Sequence, residues 1–335
     1  MANPDFDTIA TATLQRFDRT LSDNIFRSTP TLDLMRRLKG IHTGGRSNVK
    51  PLLIGENNTF DWYDGYDVLP CKPQEGLTSA EFKDAMASES ISICGREELE
   101  NRGTPQLISL LRAKTLQAQR TMQKKMNYNL INSGAYQPGR GMTGGNGKAI
   151  IGIEGLVNWR RYPELGGIDA SRPNCAFWRS RIDDAGFWDA QLAGEEPPAP
   201  VPLKQSDLED MMDCLTDGGD APDFILMSKT LYQAYRSMLQ PQYFTTQRNT
   251  GDIPFDNLEL FGATVFWDHD VAEDTIYFLN SDYIEFECES GRDFATTDFR
   301  VPTNQDSKCA FLLFKGQVCT NNRSKHGMIC NRRPC

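Results

Sequence analysis

The spacing of apolar residues changes character along the chain. In "DFDTIATATLQRFDRTLSDNIF", Ile9, Leu14, Phe17, Leu21 and Ile25 recur at loosely helical intervals. "TPTLDLMRRLKG" predicts a short helix with Thr31 as cap, Leu34, Met35 and Leu38 as apolar side, and Gly40 as stop. "TGGRSN" reads as a flexible joint. "KPLLIGENNTFDWYDGYDVLP" reads as an extended run broken at Asn57-Asn58 and Asp64-Gly65. "AEFKDAMASESISICG" pairs with it as the return strand, across the turn "CKPQEGLT". A two-stranded ribbon is not stable alone, so this one predicts a supporting surface, another subunit among the candidates.

"GTPQLISLLRAKTLQAQRTMQKKMNYNLINSG" predicts a long helix, capped by Thr104 with Pro105 in its first turn and ending at Gly134. Leu107, Leu111, Ala118, Met122, Met126 and Leu130 form one modest apolar stripe on a helix about 43 Å long. That pattern suits a strut lying along a sheet. "GAYQPGRGMTGGNGK" is a glycine-rich loop, and "AIIGIEGLVNW" a strand or buried turn. "EEPPAPVPLKQSD" predicts a protruding Pro-rich loop. "SDLEDMMDCLTDGG" reads as a capped helix, "APDFILMS" as a buried strand and "KTLYQAYRSMLQPQ" as a helix, which together make a small mixed α/β unit. From residue 253 the pattern turns to short strands: "LELFGATVFWD", "DTIYFLN", "DYIEFECE" and "KCAFLLFKGQVCTNN". The chain closes on "NNRSKHGMICNRRPC", which reads as a polar, basic tail.

Composition adds limits. The 335 residues suffice for one large or two medium domains, and 39% hydrophobic with 24% charged content is ordinary for a globular chain. A net charge of -9 argues against a protein that coats nucleic acid. Residues 1–50 are mildly basic by contrast, a solvated face or a segment facing something anionic. There is no run of 18 apolar residues, and the N-terminus lacks the apolar core of a secretory signal, so a cytoplasmic chain is expected. Nine cysteines without a C-x-x-C then read as free thiols. Cys319, His326, Cys330 and Cys335 match no standard zinc spacing.

The enzyme readings fail one by one. The histidines are His42 in the flexible joint, His269 in what reads as a solvated hairpin turn, "WDHDVAED", and His326 in the tail. Neighbouring side chains of a strand point to opposite faces, so Asp268, His269 and Asp270 do not converge on one ion. G-x-S-x-G is absent. "GRGMTGGNGK" resembles a phosphate loop, but Ala149 stands where the hydroxyl after the lysine is needed. "YPELGGIDASRPNCAFWRSR" reads as a turn: Gly166 and Gly167 supply positive φ, Asp169 and Ser171 bond the local backbone, and Phe177 and Trp178 pin the return. Cys175 has no nearby histidine to activate it. No catalytic, cofactor-binding or metal residue is assigned.

The order of these features resembles the major capsid proteins of tailed bacteriophages, the group with the Hong Kong ninety-seven-like fold. The likeness is carried by "TPTLDLMRRLKG", "FDWYDGYDVLP", "SISICGREELENRG", the long helix with its glycine loop, "GIEGLVNW", "GGIDAS", "FWRSR", "PDFILMS", "GATVFWD", "IYFLNSDYI" and "CTNNRSKHG". It implies an α+β fold with an N-terminal arm over 1–40 and an extended loop over 41–95 that lies on a neighbouring subunit. It implies a peripheral-domain spine helix over 96–134 and an axial domain mostly within 135–252. Late strands over 253–335 complete the sheets. The implied function is assembly, with pentamers and hexamers closing into an icosahedral head around double-stranded DNA held without sequence-specific contacts. The family implies a portal, a decoration protein, no membrane, and a virion assembled in the host cytoplasm. The fold-like pattern begins near Pro30, which implies a separate scaffolding protein. Some members crosslink the loop through a lysine; Lys72 and Lys83 lie in it, and nothing assigns that chemistry to either. Phe60, Trp62, Tyr63, Tyr66, Gly166, Gly167 and Trp178 are the candidate assembly and structural residues. The alternatives are an encapsulin-type compartment shell, which shares the fold, and a phosphate-ester enzyme built on residues 139–178.

Overall fold

A computed structural model describes residues 29–69, 71, 76–100, 110–134, 136–137, 141–142, 148–239, 258–302 and 305–334. The readings made for the first 28 residues, for Thr104 and Pro105, and for most of the glycine-rich loop lie outside the described residues. The fold is α+β, organised on two sheets.

One sheet is built on the strand Ser307–Thr320, long for a globular protein. Ala85–Cys94 runs antiparallel along one side of it, in register from Cys94↔Ser307 to Ala85↔Gly316. Ile284–Glu289 pairs on the other side, and Lys39–His42 lies parallel at the outer edge. Ala295–Thr296 pairs further along the long strand. The long helix is described over Leu110–Asn132 and rests on this sheet, where Ala118 meets Ile91 and Ala310. Met122, Met126, Leu130 and Ile131 carry its stripe into the main core.

The second sheet has six strands in the order Leu258–Leu260, Ala263–Trp267, Phe224–Met227, Ile276–Leu279, Gly327–Ile329 and Arg181–Asp183. Its apolar runs are continuous because both faces are covered. Ile225, Met227, Val265, Ile276 and Phe278 point to a core roofed by the helices Gln205–Leu215 and Lys229–Met238. Their alternates Leu226, Phe266, Tyr277 and Leu279 point into the main core. A period of two thus feeds two cores from one sheet.

Several expectations are corrected. The return strand is two strands. Leu77–Lys83 pairs with Ser47–Leu53 in the ribbon, and Ala85–Cys94 leaves it for the sheet. Asp84 is the joint between them, and Gln317 of the long strand accepts the new course by donating to the Lys83 carbonyl at 2.7 Å. The aromatic run forms turns at the ribbon's end, because Asn57 and Asp67 side chains take the local backbone N–H groups. The first helix is Pro30–Arg37, with Thr31 inside it rather than capping it. Gly40 lies in the strand Lys39–His42, where His42 is the last residue. Of the two readings of "AIIGIEGLVNW", the buried turn holds, as the single helical turn Ile153–Val157. The Pro-rich loop is tied back where Val201–Pro202 pairs with Arg332–Arg333.

The aspartate of the supposedly solvated turn is 1% exposed. Asp268 Oδ2 accepts from the Thr31 hydroxyl at 2.7 Å and from the Asn127 amide at 3.0 Å. One buried carboxylate therefore joins the first helix, the long helix and the second sheet. His269 is exposed beside it.

The supposed basic tail is core. Arg323 and His326 are fully buried, and Gly327–Ile329 is an interior strand. The Asn280 amide donates to His326 Nδ1 at 3.3 Å, which places the ring proton on Nε2, 3.4 Å from Thr320 Oγ1. Burial pushes this imidazole down to about 3. The unfolded chain takes up its proton near pH 6.5, the folded chain only near pH 3, so acid favours unfolding between those values. We expect stability to fall by up to about 1.4 kcal/mol per pH unit there from this residue. Urea midpoints against pH should flatten in His326→Gln; an unchanged slope would remove His326 from the acid response.

Candidate assembly surfaces

The ribbon grows from a buried root. Ser47↔Lys83 to Leu53↔Leu77 sets its register, and the alternation of the pleat turns Leu52, Ala80 and Phe82 into the main core. Beyond Leu53 the chain leaves that support. Phe60, Trp62, Tyr63, Tyr66 and Val68 are all exposed, Trp62 by 87%. Asn57 closes one turn by accepting from the Thr59 amide at 2.9 Å, and Asp64 and Asp67 close a second. The Phe60 and Trp62 rings meet edge to face, centroids 5.6 Å apart. Residues 54–69 also carry Glu56, Asp61, Asp64 and Asp67 and no lysine or arginine. The tip is therefore an apolar, acidic surface.

The double glycine supports the ribbon at its root. Glu164–Leu165 and Ile168–Asp169 form a hairpin around Gly166 and Gly167, with φ of +63° and +81°. Left-handed values at both central positions are those of a tight hairpin turn. The Gly166 carbonyl accepts from the Glu81 amide of the ribbon at 3.0 Å. Asp169 accepts from the Ser171 hydroxyl and amide, which hold its carboxyl below the usual value. Trp178 is 1% exposed and donates its indole N–H to the Leu165 carbonyl at 3.1 Å. Phe177 packs against the core only partly.

The two glycines differ. A Cβ on Gly166 would sit 2.8 Å from Ala80 Cβ, whereas Gly167 faces open space. Gly166→Ala is expected to cost about 2–4 kcal/mol, from left-handed strain plus overpacking, and Gly167→Ala about 1–2 kcal/mol from strain alone. Thermal unfolding of the two variants checks the order; equal losses would place the constraint in the turn and not in its seat on the ribbon.

The structure thus brings Gly166, Gly167 and Trp178 together and seats them on the ribbon root. The aromatics Phe60, Trp62, Tyr63 and Tyr66 stand apart at its tip. Sequence reasoning missed the residues that hold this arrangement. Arg179 donates to the carbonyls of Ala170, Ser171 and Arg172. Arg323 donates to Leu156 O at 2.7 Å, Tyr162 O at 3.0 Å, Gly155 O at 3.3 Å and Pro163 O at 3.5 Å. No carboxylate stands among those partners, and burial lowers this guanidinium to about 9. "FWRSR" and "NNRSK" offer only an arginine next to small or aromatic residues, which is a weak signal.

A cleft of about 680 Å³ opens between the turn and the ribbon root. Glu81, Asp84 and Glu164 line it against Lys83 and Lys148. Burial pushes the Cys319 and Cys330 thiols up to about 12, and Cys335 lies outside the described residues.

A family model described as the SU10 major capsid protein matches residues 92–331. No curated protein matches the sequence. Among solved structures, the capsid asymmetric unit of cyanophage A-1(L) is similar at a TM-score of 0.65 and 16% identity, covering 94% of this chain and 96% of that one. A structure from Mycobacterium phage Adephagia is similar at 0.56 and 11%, covering 98% of each chain. The holo-SrpI encapsulin complex from Synechococcus elongatus follows at 0.55 and 11%, covering 99% and 97%. At these identities the likeness is one of fold.

Proposed function

The chain belongs to the SU10 major capsid protein family, and from that premise we propose that its copies associate as pentamers and hexamers into a closed icosahedral head around double-stranded DNA. It is a structural shell protein of a bacteriophage capsid. The observation that carries the finer reading is the tip of the ribbon. Four aromatic rings and a valine stand in solvent on a short segment, and a contiguous exposed apolar surface marks a docking site. Its four acids ask for a positive rim on the partner surface of the neighbouring copy.

In this reading residues 41–95 hold the extended loop, with 47–83 as its paired part. The long helix is the spine of a peripheral domain shared with the five-stranded sheet. Residues 135–252 supply most of the axial domain, and the strands after 253 serve both. A separate scaffolding protein, a portal and a decoration protein are the expected partners, and assembly takes place in the bacterial cytoplasm. The encapsulin-type shell is the second reading, resting on the shared fold, while the family match favours the phage head.

Electron microscopy of the purified chain, alone and co-expressed with a scaffolding protein, tests the proposal. Closed particles of uniform diameter that protect DNA are expected. A chain that stays monomeric under every assembly condition overturns shell formation, and particles filled with a cargo enzyme favour the compartment.

A further inference from the structure

At the root of the ribbon, three segments far apart in sequence bring together chemistry that no motif announces. His42 ends the edge strand, Asp84 is the joint between ribbon and sheet, and Glu289 ends Ile284–Glu289. His42 Nε2 lies 3.4 Å from Asp84 Oδ2 and 3.6 Å from Glu289 Oε2. One donor atom from each residue lies within 4.8 Å of the others. Hydrogen bonds would draw such atoms closer, to about 2.7–3.0 Å. Bonds of about 2.1 Å to a shared tetrahedral ion place neighbouring donors about 3.4 Å apart.

The hydrogen bonding points the same way. Neither ring nitrogen of His42 takes a hydrogen bond, although both are shielded from solvent, and the equally shielded Asp84 Oδ2 meets the Lys315 ammonium at 3.3 Å. The Asp84 side chain is 3% exposed, and its other oxygen accepts from Asn48 at 2.9 Å. His42 Nδ1 faces Glu287 Oε2 at 3.7 Å. That is the side of the ring from which an outer carboxylate would orient a metal-bound imidazole and leave Nε2 to the ion.

Charge leaves room for a cation. Asp84, Glu285, Glu287 and Glu289 face Lys50 and Lys315, so four carboxylates meet two ammonium groups, before His42 is counted. Lys315 Nζ lies 2.7 Å from Glu289 Oε2 and 3.3 Å from Asp84 Oδ2. Each carboxylate oxygen has two lone pairs, one for the ammonium and one for an ion.

We propose that His42, Asp84 and Glu289 bind a divalent transition ion of the zinc class, with a fourth position for water, which fastens the ribbon root to the five-stranded sheet. An imidazole with two carboxylates suits zinc or cobalt better than magnesium or calcium. The site lies within one folded chain and stands independently of the shell reading.

Cobalt(II) titrated into the full-length chain is the probe. Exposed Cys71, Cys94 and Cys214 compete for it, but thiolate ligation adds an intense near-ultraviolet charge-transfer band that nitrogen and oxygen ligands lack. The expected result is one ion per chain, a visible d–d band without the thiolate band, and displacement by zinc. His42→Ala and Asp84→Asn should each weaken binding at least about tenfold. Lys315→Met should strengthen it severalfold by removing a neighbouring like charge. His42→Gln, closer in volume, serves if either variant loses its native circular dichroism. Failure of saturable uptake, a thiolate band that survives His42→Ala, or affinity unchanged in both His42 variants overturns the site. A ribbon root whose hydrogen exchange follows pH in the wild type without ion uptake assigns the imidazole to a proton, and overturns it too.

Discussion

Replacing Arg323 by methionine is expected to cost the subunit about 3–5 kcal/mol, enough to remove most soluble product. The guanidinium is fully buried and ties together the backbone of residues 155–163. Its two shortest bonds, to Leu156 O and Tyr162 O, are charge-assisted. Such bonds contribute about 1.5–3 kcal/mol each, and their loss strands buried carbonyls. A domain's whole stability is about 5–15 kcal/mol. Arg323→Lys should fall between, since an ammonium keeps the charge but cannot span the same fork of carbonyls. Urea unfolding of the three proteins measures this. A methionine variant within about 1 kcal/mol of wild type would show that the carbonyls find other donors, and that the guanidinium does not hold the turn region together.

Trp62→Ala should do the reverse, sparing the subunit and impairing the shell. The ring is exposed in the single chain, so its removal should change unfolding by no more than about 0.5 kcal/mol. Burial at a neighbour contributes about 1.5–3 kcal/mol per ring, or roughly 10- to 100-fold per contact. The loss recurs in every copy, so the threshold concentration for assembly should rise at least about tenfold. Light scattering against concentration, alongside thermal unfolding, separates the effects. Particles forming at the wild-type threshold would show that the tip is not an inter-subunit contact.

The elements that were legible are those whose signal is local. "FILM" and "IYFL" are doubly buried strands because side chains alternate between two cores, and short continuous apolar runs announce that arrangement. The long helix was legible from the recurrence of Ala118, Met122, Met126 and Leu130. The glycine turn was legible because few residues other than glycine adopt its φ values. The fork at Asp84 was not: the partner of Ala85–Cys94 lies more than two hundred residues away, and the period of two is the same in ribbon and sheet. The buried polar residues were least legible. Asp268, Arg323 and His326 sit in stretches that look solvated, because the groups that satisfy them come from distant segments.

By itself, then, the sequence determined the clearest helices and strands, their order and a resemblance that the family match bears out. It also marked an aromatic, turn-rich stretch, but that its rings stand exposed was decided by the fold. The tertiary structure alone decided which strands pair, where the ribbon ends, and that His42, Asp84 and Glu289 meet at its root. Apolar periodicity is written along the chain, whereas the desolvation of a charge is settled by whatever partners the fold brings to it.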